Sequence, residues 1–156
     1  MKHETVGSLT TTLPSVGITP VTPTAAYFGV AQALMPGAQL LASSPSTSPI
    51  AQSLLSAHIL ECLCKAFLSK HGGATEAELR KAKLRHNLTA LWQLASQRGL
   101  SISPSPRAWV ECLTGLHDSP YFLRYAPGVH DPVLPNLKEM SAELTTLLET
   151  VRESIR

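Results

Sequence analysis

The sequence predicts an all-α protein, and three observations carry that prediction. Hydrophobic residues make up 44% of the 156 residues but aromatic ones only 5%. The core must therefore rest on Leu, Ala, Val, Ile and Met, a palette that suits packed helices better than strands, which favour β-branched and aromatic side chains. Apolar residues recur at spacings of three and four through most of the chain beyond residue 24. Helix-start spellings stand in front of several of these runs: "TEAE", "SPSP" and "NLKE". The length fits one domain burying about 70% of its unfolded surface, organised as an irregular segment over 1–24 and a helical bundle over 25–156. About five helices are expected, packed up and down.

Residues 1–24 are rich in Thr, Ser and Pro, and "ITPVTPT" spells extended chain. The first helix is expected over 25–42, with Tyr27/Phe28, Ala31, Leu34/Met35, Ala38 and Leu41 at helical spacing and a kink or break at Pro36. "SSPSTSP" is a loop. Residues 49–70 carry the strongest pattern, Leu54/Leu55, His58/Ile59, Cys62/Leu63 and Ala66/Phe67. Glu61 and Lys65 form an i,i+4 pair there, and "KHGG" supplies glycine for a C-terminal cap. Thr75 and Glu78 spell a capping box for a helix that runs to Arg98, with a local break at His86–Asn87, because Asn caps helices well and sits poorly inside them. Ser105 and Pro106 start the next helix, lined by Trp109, Cys112/Leu113 and Leu116. The Pro- and Gly-rich connector 118–135 holds Tyr121, Phe122 and Tyr125 and is expected to be pinned to the core. The last helix opens at Asn136 and turns Met140, Leu144, Leu147/Leu148, Val151 and Ile155 inward.

Net charge is only +2, but no Asp, Glu, Lys or Arg occurs between Thr5 and Leu60. Within that stretch "AAYFGVAQALMPGAQLLA" is long enough to raise a membrane span, yet Gln32, Pro36, Gly37 and Gln39 interrupt it and no basic cluster flanks it. The start of the chain lacks the apolar core of a signal peptide. A cytoplasmic protein without a membrane segment is expected. Cys62, Cys64 and Cys112 are an odd set without zinc-site spacing, so buried reduced thiols are expected and neither a metal nor a cofactor.

"AHILECLCKAFLSKHG" followed by "ELRKAKLRHNLTALWQLASQRGL" resembles the helical pair of HEPN-like bacterial proteins, which show a helix with Glu and Lys four apart and then a His–Asp/Asn–Leu element. "SPYFLRYAPG" resembles the Arg-Tyr-Pro connector before their final helix, although Arg85 stands where a Gly is usual and Ala126 separates Tyr125 from Pro127. The resemblance covers about residues 50–155. It implies a helical bundle, often dimeric, in a superfamily linked to nucleotides, RNA and bacterial defence. It also implies a polar cluster in which His86 and Asn87 meet Glu61, Lys65, Arg124 and Tyr125.

Active members of that superfamily are often ribonucleases that use an Arg and a nearby His, the His moving the 2′-hydroxyl proton while the Arg steadies the phosphate. Arg80…His86 and Arg124…His130 fit that spelling. Seven Arg and six His at three permitted spacings give roughly one match by chance, so the spelling alone selects nothing. His58 on an apolar stripe is a core histidine before it is a catalyst. For His86 and Asn87, a helix-start cap stands beside the polar cluster. The six basic residues from Arg80 to Arg107, with no acidic one among them, offer phosphate contacts or simply a solvated face, and no aromatic residue lies among Arg80–Arg85 to stack bases.

The leading functional expectation is a non-catalytic helical interaction or ligand-sensing domain, homodimeric, in a bacterial defence or stress system. A metal-independent ribonuclease built on an Arg/His pair is the alternative, and a purely structural partner domain the third. Expected partners are a second copy of the chain or another protein, with RNA or a nucleotide weakly supported.

Overall fold

Pro23 and Pro49 each stand first in a helix, directly behind a hydroxyl residue. Their missing N–H costs nothing there, and the preceding side chain takes up one of the open donors of the first turn. In the computed structural model, Thr22 Oγ1 accepts from the Ala25 N–H at 3.2 Å and Ser48 Oγ from the Ala51 N–H at 3.4 Å. The structure describes residues 21–44, 48–71, 73–124 and 132–156. Those residues form seven helices and no strand: α1 Pro23–Ser43, α2 Pro49–Lys70, α3 Glu76–Leu79, α4 Ala82–Arg85, α5 Leu88–Gln97, α6 Ala108–His117 and α7 Leu137–Ser154.

α2 is the centre of the molecule. It packs against α1, α5, α6 and α7, because its sequence is apolar on nearly every face. Ile59, Leu60, Leu63, Cys64, Ala66 and Leu68 are all fully buried, and so are Ser53 and Ser56. α2 is also long and apolar enough to span a bilayer by length and composition, but most of it is buried among the other helices, which is what a core helix requires. Gly73, at φ 61, turns the chain away after α2, and the Ala74 N–H donates back to the Leu68 carbonyl.

The third expected helix is in fact three. Thr75 and Glu78 close the capping box at α3. α3 ends after one turn, and Lys81 takes an extended conformation as the start of α4. Asn87 then caps α5, its Oδ1 accepting from the Ala90 N–H at 2.8 Å. The break at His86–Asn87 thus falls where the cap chemistry puts it, and together with the earlier one at Arg80–Lys81 it raises the helix count from five to seven among the described residues.

α1 runs through Pro36 without a break. One other boundary differs from expectation. α6 begins at Ala108 behind an extended Arg107 that makes no side-chain cap, rather than at Ser105–Pro106. Docking on α7 fixes that start: Arg107 Nε lies 3.5 Å from Glu143 Oε2, and Trp109 Nε1 donates to the same oxygen at 2.8 Å. α7 opens at Asn136 and buries Met140, Leu144, Leu147, Leu148 and Val151. Its C-terminal carbonyls are met by α2, Lys70 donating to Ile155 and Arg156 while His71 contacts Ser154. Leu123 is buried and Phe122 packs on the core, as expected for a pinned connector. Trp92 and Trp109 meet edge to face at 6.2 Å where α5 crosses α6. The Thr/Pro-rich segment 1–20 lies outside the described residues.

Candidate functional site

Because α2 is apolar on most faces, the two charged residues in its middle, Glu61 and Lys65, are buried and must be satisfied inside, whereas Lys70 stands at its open end. Glu61 and Lys65, 7% and 5% exposed at their side chains, stand one turn apart, and Lys65 Nζ donates to Glu61 Oε1 at 2.7 Å. Lys65 also donates to the Arg85 carbonyl at 2.9 Å, one of the carbonyls that the end of α4 leaves open. A buried ion pair of this kind holds only when its remaining hydrogen-bonding capacity is filled. Two histidines fill it. His86 Nδ1 lies 3.1 Å and His117 Nε2 2.8 Å from Glu61 Oε2.

The two histidines come from unrelated parts of the chain. His86 is the residue at which α4 stops, held there by the Asn87 cap, and it keeps 14% of its side chain exposed. His117 is the last residue of α6 and is fully buried. Their rings meet edge to face at 5.4 Å, and Tyr121 stands edge-on to His86 at 5.7 Å. Tyr121 reaches that position with φ 64, in the left-handed region that side chains other than glycine rarely occupy. Nδ1 of His117 is buried without a hydrogen-bond partner.

Burial by itself would raise the Glu61 carboxyl, but hydrogen bonds from His117 and Lys65, the Lys65 charge and the bond from His86 outweigh it and bring the pKa down to about 2. Glu61 is therefore a fixed negative charge at any pH near neutral. Half-buried His58, whose Nε2 is 4.0 Å from Cys62 Sγ, is lowered by burial. Glu61 opposes that shift, and His117, Arg124 and Lys65 reinforce it. Beyond Lys65 the network reaches α1. The ammonium lies 5.8 Å from the centre of the Tyr27 ring, and Tyr27 donates its hydroxyl to Glu76 Oε1 at 2.8 Å. Arg80 Nε donates to the same oxygen at 2.9 Å. Tyr27 is raised by its burial and by that bond to Glu76.

Of the residues that sequence reasoning singled out, Glu61, Lys65 and His86 converge. Asn87 is their neighbour in the chain and acts as a helix cap. Arg124 is exposed, and no hydrogen bond or ion pair joins it to Glu61. Tyr125 and His130 lie outside the described residues. Arg80 is turned to Glu76 while His86 is turned to Glu61, so each member of the Arg80…His86 pair is engaged by a different carboxylate. Of the basic run, Lys81, Lys83 and Arg98 line a cavity of about 220 Å³ together with Glu78.

His117 escaped sequence reasoning. The signal was its place four residues after Leu113 on the inner stripe of α6, where a polar residue at a core position needs a partner. Together Glu61, His86 and His117 bring one carboxylate oxygen and two imidazole nitrogens within 4.8 Å of one another.

The fold and site define a class in physical terms: an all-helical protein whose central helix carries a buried carboxylate satisfied by a lysine and two histidines. No family model, no curated protein and no solved structure matches the chain.

Proposed function

We propose that the chain is a non-catalytic helical interaction or ligand-sensing domain on a HEPN-like bundle, and that it works as a homodimer. The observation that carries this reading is the outer face of α1. Only Ala31, Met35 and Ala38 of its 21 residues are buried. Ala26, Gly29, Val30, Ala33, Pro36 and Leu40 follow one another at helical spacing on the opposite side and are exposed. Val30 is 41% and Leu40 70% accessible, and no charged residue lies on the helix. A contiguous apolar surface of this kind marks an interaction site. A second copy is the occupant that matches it, because a two-fold pairing sets the same uncharged patch against itself.

The non-catalytic half of the reading is supported by the way the Arg80…His86 pair is divided between two carboxylates. The buried cluster is then a register device, selecting one arrangement of α2, α4 and α6 by the cost of leaving any member unpaired.

Light scattering on the full chain at high micromolar concentration tests the proposal. A dimer is expected, and Leu40→Glu combined with Val30→Glu should return it to monomer while the helical circular dichroism stays unchanged, since both side chains are exposed. A monomeric parent protein would remove the reading.

A further inference from the structure

We propose that Glu61, His86 and His117 form a binding site for one divalent zinc-class transition-metal ion. This goes beyond the interaction reading and does not depend on it.

The donor set comes first. Two imidazole nitrogens and one carboxylate oxygen are a recurrent three-ligand set for zinc, whereas calcium and magnesium call for oxygen donors throughout. All three donor atoms lie within 4.8 Å of one another. Zn–N and Zn–O bonds of about 2.0–2.2 Å place tetrahedral donors roughly 3.4 Å apart. Around Glu61 Oε2 the separations, 3.1 Å to His86 Nδ1 and 2.8 Å to His117 Nε2, open by roughly 0.3 and 0.6 Å to reach that value, while the two imidazole nitrogens, within 4.8 Å of each other, draw together around the ion.

Rigidity comes second. Each donor sits on a different element, Glu61 within α2, His86 at the end of α4 and His117 at the end of α6, and each element is anchored independently in the core. Lys65 holds Oε1 at 2.7 Å and is itself held by the Arg85 carbonyl. It therefore orients the carboxylate so that Oε2 faces the two histidines, whose N–H protons a bound ion displaces, the role that outer partners play around metal ligands. The access route is at His86, the only one of the three donors with more than a trace of exposed side chain.

Charge decides what completes the site. Lys65 already balances Glu61, so a divalent ion adds two uncompensated positive charges to a buried place. Three protein donors leave a fourth position open, and an anion belongs in it: hydroxide, a small carboxylate or a phosphate oxygen. The absence of thiolate from the set argues against Cu(I), which selects soft sulfur ligands.

The test uses the full chain without a histidine tag, stripped with a chelator and then titrated with zinc chloride and, separately, cobalt chloride. One ion per chain, a higher melting temperature and visible cobalt absorption typical of four- or five-coordinate nitrogen and oxygen ligation are expected. His86→Gln should weaken binding at least about tenfold and abolish the cobalt bands while the protein stays folded by circular dichroism. This variant is preferred because His117 is fully buried and its replacement endangers the fold. His71→Gln, at the exposed end of α2, should change nothing. Failure of the parent protein to retain an ion, or retention that His86→Gln leaves unaltered, would overturn the proposal.

Discussion

His117 Nε2 lies 2.8 Å from Oε2 of Glu61, a carboxylate 56 residues earlier in the chain, and both side chains are removed from water. Neither residue explains its own burial. Glu61 is on α2 because Lys65 is one turn away, and His117 ends α6 where an apolar residue would otherwise complete the stripe. Each is tolerated because of the other. The first prediction follows from that dependence. Glu61→Ala strands Lys65 without its counter-charge, and loss of one partner from a buried pair costs about 3–5 kcal/mol. Glu76→Ala, which breaks the pair with the largely exposed Arg80, should cost clearly less. Urea unfolding of both variants measures the contrast, and equal losses would mean that the interior pair is not buried as described.

A second prediction concerns acid. Folding lowers the Glu61 pKa from 4.5 to about 2, so the unfolded chain takes up the proton first as the pH falls. The stabilisation is complete above about pH 4.5 and is lost as the pH drops through about 2. Its size is roughly 3 kcal/mol by proton linkage. Denaturant titrations of metal-free protein across that window should show the decline, and Glu61→Gln should largely flatten it.

Thiol chemistry supplies a third. Burial, with the Glu61 charge adding to it, pushes Cys62 up to about 12, and Cys64 reaches about 12 for the same reasons. Cys112 is also raised by burial but is only partly covered. Alkylation of the native protein should therefore modify one cysteine, Cys112, with the other two reacting only after unfolding. Peptide mapping after a timed exposure reads this directly; early labelling of Cys64 would contradict the packing of α2.

Capping gives a fourth. Asn87 Oδ1 satisfies the Ala90 N–H, so Asn87→Ala should cost about 1 kcal/mol. It should also loosen His86, the residue just before the cap. Asn87→Asp and Asn87→Ser keep an oxygen in place and should recover most of the loss in thermal melts.

The fifth separates the interaction reading from the enzymatic one. With Arg80 held by Glu76 and His86 by Glu61, single-stranded RNA incubated with chelator-treated protein should stay intact. A 2′,3′-cyclic phosphate product that disappears in His86→Ala would make ribonuclease the correct reading.

Sequence reasoning located the long helices well because their signals are local. Apolar spacing marked α2 and α7 nearly to the residue, with the glycine stop of "KHGG" behind the one and Asn136 in front of the other. It did less well where tertiary contacts set the boundary: the start of α6 follows from Trp109 and Arg107 reaching Glu143 on α7, and no local spelling carries that. The site divides in the same way. Glu61 and Lys65 are legible as an i,i+4 pair, and His86 as the residue before a cap. His117 is not, since what selects it is a carboxylate on α2, 56 residues earlier in the chain, and Tyr27 joins the network only because α1 lies across α2. The three donors show no metal spacing for the same reason: such spacing is visible only when ligands share a helix or a turn.

The edge-to-face contact between Trp92 and Trp109 has a practical side. These are the only two tryptophans of the chain, so its intrinsic fluorescence arises from one spot where α5 meets α6. Trp92 Nε1 is bonded to the Ser103 carbonyl and Trp109 Nε1 to Glu143, which makes the emission a reporter on the seating of α7 as well. α1 lies against α2 and α7 but is not among the helices that carry either indole. Separation of two copies at α1 should therefore be spectroscopically silent, and loss of α7 packing should change the emission. One optical signal followed through a dilution series and then through a melt distinguishes dissociation from unfolding.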